Sequence, residues 1–156
     1  MSTLEQVREF HETFGHPAPN SLAIPELDTI RLRFKLILEE FIELIEANSS
    51  GTPQMELIID LLDTIDDEFN YITDKDLDVD LIEVADALGD IKYVTDGAAL
   101  VYGIPLDIVS TEIHASNMSK LDPDTGKPIV RDDGKILKGK GYFKPDIKKA
   151  ISYGRN

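Results

Sequence analysis

Cysteine is absent from all 156 residues. That removes disulfide frameworks, thiolate metal sites and cysteine nucleophiles together, and it fits a reducing compartment. Long apolar runs are lacking too: no stretch of 18 apolar residues occurs, and Met1 to Phe14 holds no apolar run after a basic start. The expectation is a cytoplasmic protein with neither a membrane span nor an export signal. Basic residues are scarce, 16 against 30 acidic ones, for a formal charge of −14. This disfavours tracking along a nucleic-acid polymer, where Lys and Arg must neutralise phosphates. The three histidines are His11, His16 and His114, and none stands three residues after a Glu, so the Glu-x-x-His pairs of di-iron carboxylate bundles are missing. No glycine-rich loop ends in Lys-Ser or Lys-Thr, which excludes a P-loop. Asp122-Pro123-Asp124-Thr125-Gly126 begins like a calcium loop. Lys127 stands where an EF-hand requires glycine, and the segment reads as a turn.

What is present is helical. Thr3 with Gln6 reads as a capping box opening a short helix through Phe10, His11 and Phe14, closed by Gly15. Pro17 and Pro19 impose an extended link. Ile30, Phe34, Ile37, Leu38, Phe41, Ile42, Leu44 and Ile45 form a broad apolar stripe on a second helix from about Glu26 to Ala47, with Pro25 at its start. Asn48 to Gly51 has turn composition, and Thr52-Pro53 caps a third helix carrying Met55, Ile58, Ile59, Leu62, Ile65 and Phe69. After an acidic connection, Asp74 to Asp80, helical spacing resumes from Leu81 to Gly103, and Pro105 opens a fifth helix through Asn117. From Leu121 the composition turns to Pro, Gly, Asp and Lys, and residues 129–137 read as a hairpin turning at Asp133-Gly134. The expected fold is all-α: one domain over 1–156, a four- to five-helix bundle as body over about 1–120, and an irregular basic tail over about 121–156. Between Lys120 and Lys149 nine basic residues face five acidic ones. An acidic body with a basic tail suits a phosphate ligand that reaches the body through a divalent cation.

Two rows of carboxylates carry the chemistry. Glu39, Glu40 and Glu43 project from one side of the second helix, and Glu83, Asp86 and Asp90 share a face of the fourth. Like charges at such spacings cost a helix roughly a few tenths of a kcal/mol per pair. A hard divalent cation explains them, since Mg²⁺ takes oxygen ligands, keeps several waters and is completed by substrate phosphates. The bland alternatives are a solvated polar face for the first row and a capping box of Asp80 with Glu83 for the second. His114, on an amphipathic helix, is first a structural or surface residue, with contact to a nucleobase as the alternative.

The order of these residues resembles a known family. Leu38-Glu39-Glu40-Phe41-Ile42-Glu43-Leu44, then Glu83-Val84-Ala85-Asp86-Ala87-Leu88-Gly89-Asp90-Ile91, is similar to the Glu-Glu-x-x-Glu and Glu-x-x-Asp signature of MazG-like pyrophosphohydrolases. Phe10-His11, Phe14-Gly15, Arg31, Tyr93, Gly97, Gly103-Ile104 and Ser116-Asn117-Met118-Ser119-Lys120 resemble the phosphoribosyl-ATP pyrophosphohydrolase-like branch, and Gly126-Lys127-Pro128 with Gly141 to Asp146 resembles its tail. The interval from Glu43 to Glu83 departs from the family by its length, with Asp74 to Asp80 as the extra material. The resemblance implies hydrolysis of a nucleoside triphosphate, a dNTP in the first instance, to monophosphate and pyrophosphate. It implies Mg²⁺, with Mn²⁺ able to substitute, held by Glu40, Glu43, Glu83 and Asp86. Glu39 is then a further ligand or the base that orients water, and Asn117 and Lys120 contact the substrate. It also implies a homodimer or homotetramer. Phosphoribosyl-ATP as substrate, and a metal-binding interaction bundle without catalysis, are the alternatives.

Overall fold

A computed structural model of the chain describes residues 1–131 and 136–153. Six α-helices occur among them: α1 Thr3–Phe14, α2 Leu27–Glu46, α3 Pro53–Glu68, α4 Leu81–Tyr102, α5 Leu106–Met118 and α6 Ile147–Ser152. Two short strands, β1 Ile129–Val130 and β2 Ile136–Leu137, pair antiparallel with Ile129 opposite Leu137. The all-α expectation with a small hairpin holds. The hairpin's turn at Asp133-Gly134 lies outside the described residues. The chain divides into two compact units, residues 22–84 and residues 1–21 with 85–156.

Within 22–84, α2 and α3 form a helical hairpin. Gly51 turns the chain at φ 71°, and the Thr52 hydroxyl accepts the Met55 N–H with Pro53 at the first helical position, where a missing N–H costs nothing. The start of α2 meets the end of α3, as antiparallel helices must. Lys35 pairs with Asp66 at 2.9 Å, and the Phe34 and Phe69 rings stand 5.6 Å apart. Ile42 is the buried residue of α2. The acidic connection is ordered by short 3₁₀ turns at Phe69–Tyr71 and Asp74–Asp76, the second closed by a capping box between Thr73 and Asp76. Arg31 ties α2 to this connection, donating through Nε and Nη2 to the Ile72 carbonyl while Nη1 meets Asp28.

In the other unit, α1 runs alongside α5. Gln6 donates to Thr111, Glu9 meets His114, and Phe10 lies beneath Lys120, so contacts ascend in step and the two helices point the same way. The capping box of α1 is Ser2 with Glu5, one residue earlier than Thr3 with Gln6. A carboxylate at the third position accepts from the Ser2 N–H and hydroxyl, and Gln6 is left to be buried against α5. Gly103, at φ 67°, ends α4, where an L side chain would be strained.

The tail is tied to α5 around Phe143 and Asp146. The Ser116 hydroxyl, buried, donates to the Phe143 carbonyl at 2.8 Å, the Phe143 N–H donates to Ser119 Oγ, and the Asp146 N–H donates to Glu112. This strap leads into α6, which packs on α5 and was not expected from the sequence. Of α4 only Ala99 is buried, while Tyr93 is 80% and Val101 86% exposed. No helix among the described residues is long and apolar enough to cross a membrane.

Candidate active site

α2 presents Glu39, Glu40 and Glu43 to solvent within just over one turn. They share one electrostatic environment. The Glu40 carboxyl is pushed above the ordinary carboxylate range, first by burial of the group itself and then by the negative charge of Glu43 and Glu39. Residue 40 as a whole stays exposed, so this burial is partial.

α4 carries Glu83 in its first turn and Asp86 one turn further, both exposed. Asp80 Oδ1 accepts the N–H groups of Ile82 at 2.8 Å and Glu83 at 3.3 Å, so the helix is capped by Asp80 alone. The return bond that would make Glu83 part of a capping box is absent among the described residues. Glu83 is thereby spared a capping duty. Among the described residues, no group of three or more His, Asp or Glu side chains stands close enough to hold a metal ion.

Asn117 and Lys120 are brought together. Lys120 Nζ donates to Asn117 Oδ1 at 2.8 Å and lies 5.9 Å from the centre of the Phe10 ring. The Lys120 carbonyl accepts the Gly139 N–H, and a Cβ on Gly139 would stand 2.8 Å from the Leu121 carbonyl oxygen, so only glycine lets the tail pass this close. The segments Ser116 to Lys120 and Gly141 to Asp146, separate motifs in the sequence, are thus one hydrogen-bonded neighbourhood. His114 Nε2 meets Glu9 Oε2 at 3.1 Å, which gives it a structural partner across α1 and α5.

A cavity of about 370 Å³ lies between α5 and α6, lined by Asp107, Ile108, Thr111, Glu112, Lys149, Ala150 and Tyr153. None of the seven expected site residues lines it. A cavity lined by two carboxylates and one ammonium is poorly suited to a polyphosphate.

An all-α chain with a Glu-Glu-x-x-Glu row on one helix and Glu-x-x-Asp on a later one falls in the class of nucleotide pyrophosphohydrolase folds. The chain belongs to the phosphoribosyl-ATP pyrophosphohydrolase family, whose profile matches residues 7–117. That span holds both carboxylate rows and Asn117 and stops short of Lys120. The structure is similar to a crystal structure of a protein from Exiguobacterium sp. 255-15 assigned as an NTP pyrophosphohydrolase. The TM-score is 0.79 at 25% identity, covering 98% of this chain and 95% of that one. An uncharacterized protein of Acanthamoeba polyphaga mimivirus is 33% identical over 107 residues, 66% of this chain and 32% of the relative. The chain therefore spans about a third of the length of that curated relative.

Proposed function

We propose that the protein hydrolyses a nucleoside triphosphate, in the first instance a dNTP, to its monophosphate and pyrophosphate. What supports this most is that Glu39, Glu40, Glu43, Glu83 and Asp86 all fall in the span matched by a pyrophosphohydrolase family. The donor set is carboxylate oxygen throughout, which is the chemistry of a hard cation. No three of these carboxylates form a cluster among the described residues, so in this proposal the ion, with its waters and the substrate phosphates, gathers its carboxylate ligands on binding. Burial of the Glu40 carboxylate, added to by the charges of Glu43 and Glu39, is a cost that a bound cation would relieve.

In this proposal Glu40, Glu43, Glu83 and Asp86 hold Mg²⁺, or Mn²⁺ in its place. When bound, the ion neutralises phosphate charge and lowers the pKa of a ligated water. Glu39 serves as a further ligand or accepts the proton of the attacking water. Lys120 and Asn117 hold the polyphosphate through N–H donors, the complement to oxyanions. Addition of that water across the α–β anhydride divides the substrate into monophosphate and pyrophosphate. Self-association into a dimer or tetramer completes the proposal, because α4 leaves Ile82, Tyr93, Leu100 and Val101 exposed, an arc of a kind that helical proteins bury.

The family's name favours a second substrate, phosphoribosyl-ATP. A pyrophosphate-release screen over NTPs, dNTPs and phosphoribosyl-ATP, with Mg²⁺ and with EDTA, separates the readings. Release from a dNTP that EDTA abolishes and Mg²⁺ restores is expected. Release from phosphoribosyl-ATP alone would select the second substrate, and binding without release from any of them would make the protein a metal-holding interaction bundle.

A further inference from the structure

We infer that Phe10 of α1 is a positioning residue for substrate phosphate, holding the Lys120 ammonium in place through its ring face. The inference rests on Lys120 meeting the polyphosphate. Lysine carries its charge on a flexible stem with large rotamer entropy, which an ungoverned side chain gives up on binding. Here the stem is partly buried and its head has two holds, the Asn117 oxygen at 2.8 Å and the Phe10 ring centre at 5.9 Å. The ring is itself fixed. It stacks on buried Phe14 with centroids 4.3 Å apart and on His16 at 5.7 Å, so α1 supplies a rigid aromatic floor.

The chemistry left over points to an anion. Asn117 gives its carbonyl oxygen to Lys120, which leaves its amide N–H groups, and the ammonium keeps two of its three donors. Together they offer four N–H donors against the one lone pair left on the Asn117 oxygen. A phosphoryl group meets such a pair without having to reorganise it, and preorganisation of this kind raises affinity by lowering the ordering cost. The aromatic ring attracts the cation without neutralising it, so the full charge stays available to the phosphate. Asp or Glu in place of Phe10 would hold the lysine equally well and cancel its charge.

The test is a double-mutant cycle in steady-state kinetics on the full chain, with Phe10→Leu, Lys120→Ala and both together, and Phe10→Tyr as the conservative variant. Phe10→Leu should lower kcat/KM about two- to fivefold, which corresponds to the roughly 0.5–1 kcal/mol of an exposed cation–π contact. Phe10→Tyr should retain wild-type kcat/KM. In the Lys120→Ala background Phe10→Leu should have no further effect. The upfield shift that the ring imposes on the Lys120 ε-protons should vanish in Phe10→Leu, a readout independent of turnover. An equal Phe10→Leu loss with and without Lys120 would overturn the inference by showing that the ring serves only the fold. If instead Lys120→Ala keeps full kcat/KM, the reading of Lys120 fails first and the inference falls with it. That pattern is distinct, because Phe10 then alters only the spectrum.

Discussion

Glu40 is where charge, stability and chemistry meet in one side chain. Its carboxyl holds its proton more tightly in the folded chain than in the unfolded one, through burial and the neighbouring charges of Glu43 and Glu39. Ionised Glu40 therefore detracts from folding at neutral pH, and the penalty fades as pH falls through its raised pKa toward the unfolded value. Without metal, Glu40→Gln should melt no lower than wild type at neutral pH, and any advantage should shrink on acidification. Calorimetry in EDTA checks this, and a mutant that melts well below wild type would mean that the carboxylate makes a stabilising contact instead. In the proposed site the same substitution, and Asp86→Asn, should lower kcat by roughly a hundredfold or more, about 2.7 kcal/mol of lost transition-state stabilisation. Wild-type turnover by either mutant at saturating Mg²⁺ would remove that residue from the metal's ligands. Lys120→Ala should cost roughly ten- to a hundredfold in kcat/KM, with Lys127→Ala as the control. At this scale the sequence exposes spacing and hides company. Asn117 and Lys120 were legible as neighbours three residues apart on a helix, whereas the Phe10 ring, over a hundred residues away, was not.

Among the elements, legibility followed length and periodicity. The 20-residue α2, the 16-residue α3 and the 22-residue α4 show their apolar spacing over several turns, and their bounds lie within a residue or so of expectation. The six-residue α6 is too short to show a period, and its Lys148-Lys149 pair reads as solvated tail, so only the strap to Ser116 and Glu112 reveals why it forms. Caps depended on which of two adjacent hydroxyls wins. Thr52 was unambiguous because Pro53 follows it, whereas Ser2 displaced Thr3 because Glu5 offers a charged acceptor where Gln6 does not. Thr52→Ala should accordingly destabilise residues 22–84 by about 1 kcal/mol, measured by denaturant unfolding. No measurable loss would show that the hydroxyl's bond to Met55 is replaced by water without cost.

Over the whole molecule, composition divided body from tail, while contacts divide the chain differently. The tail belongs with α1 and α5, because hydrogen bonds to Ser116, Ser119 and Glu112 bind it there, and no average over charge or hydropathy reports such bonds. Charge and apolar exposure also set expectations at this scale. A chain of formal charge −14 should resist non-specific association, so any self-association should come from specific surfaces such as exposed α4. Sedimentation should show a dimer or tetramer, and Val101→Glu should shift it toward monomer; an unaltered assembly would place the contact elsewhere. The most direct measurement is ³¹P NMR of the products formed from a reactive nucleoside triphosphate with Mg²⁺. Monophosphate and pyrophosphate should appear together in equal amounts, and orthophosphate with a diphosphate intermediate would contradict cleavage of the α–β bond and with it the function proposed for the two carboxylate rows.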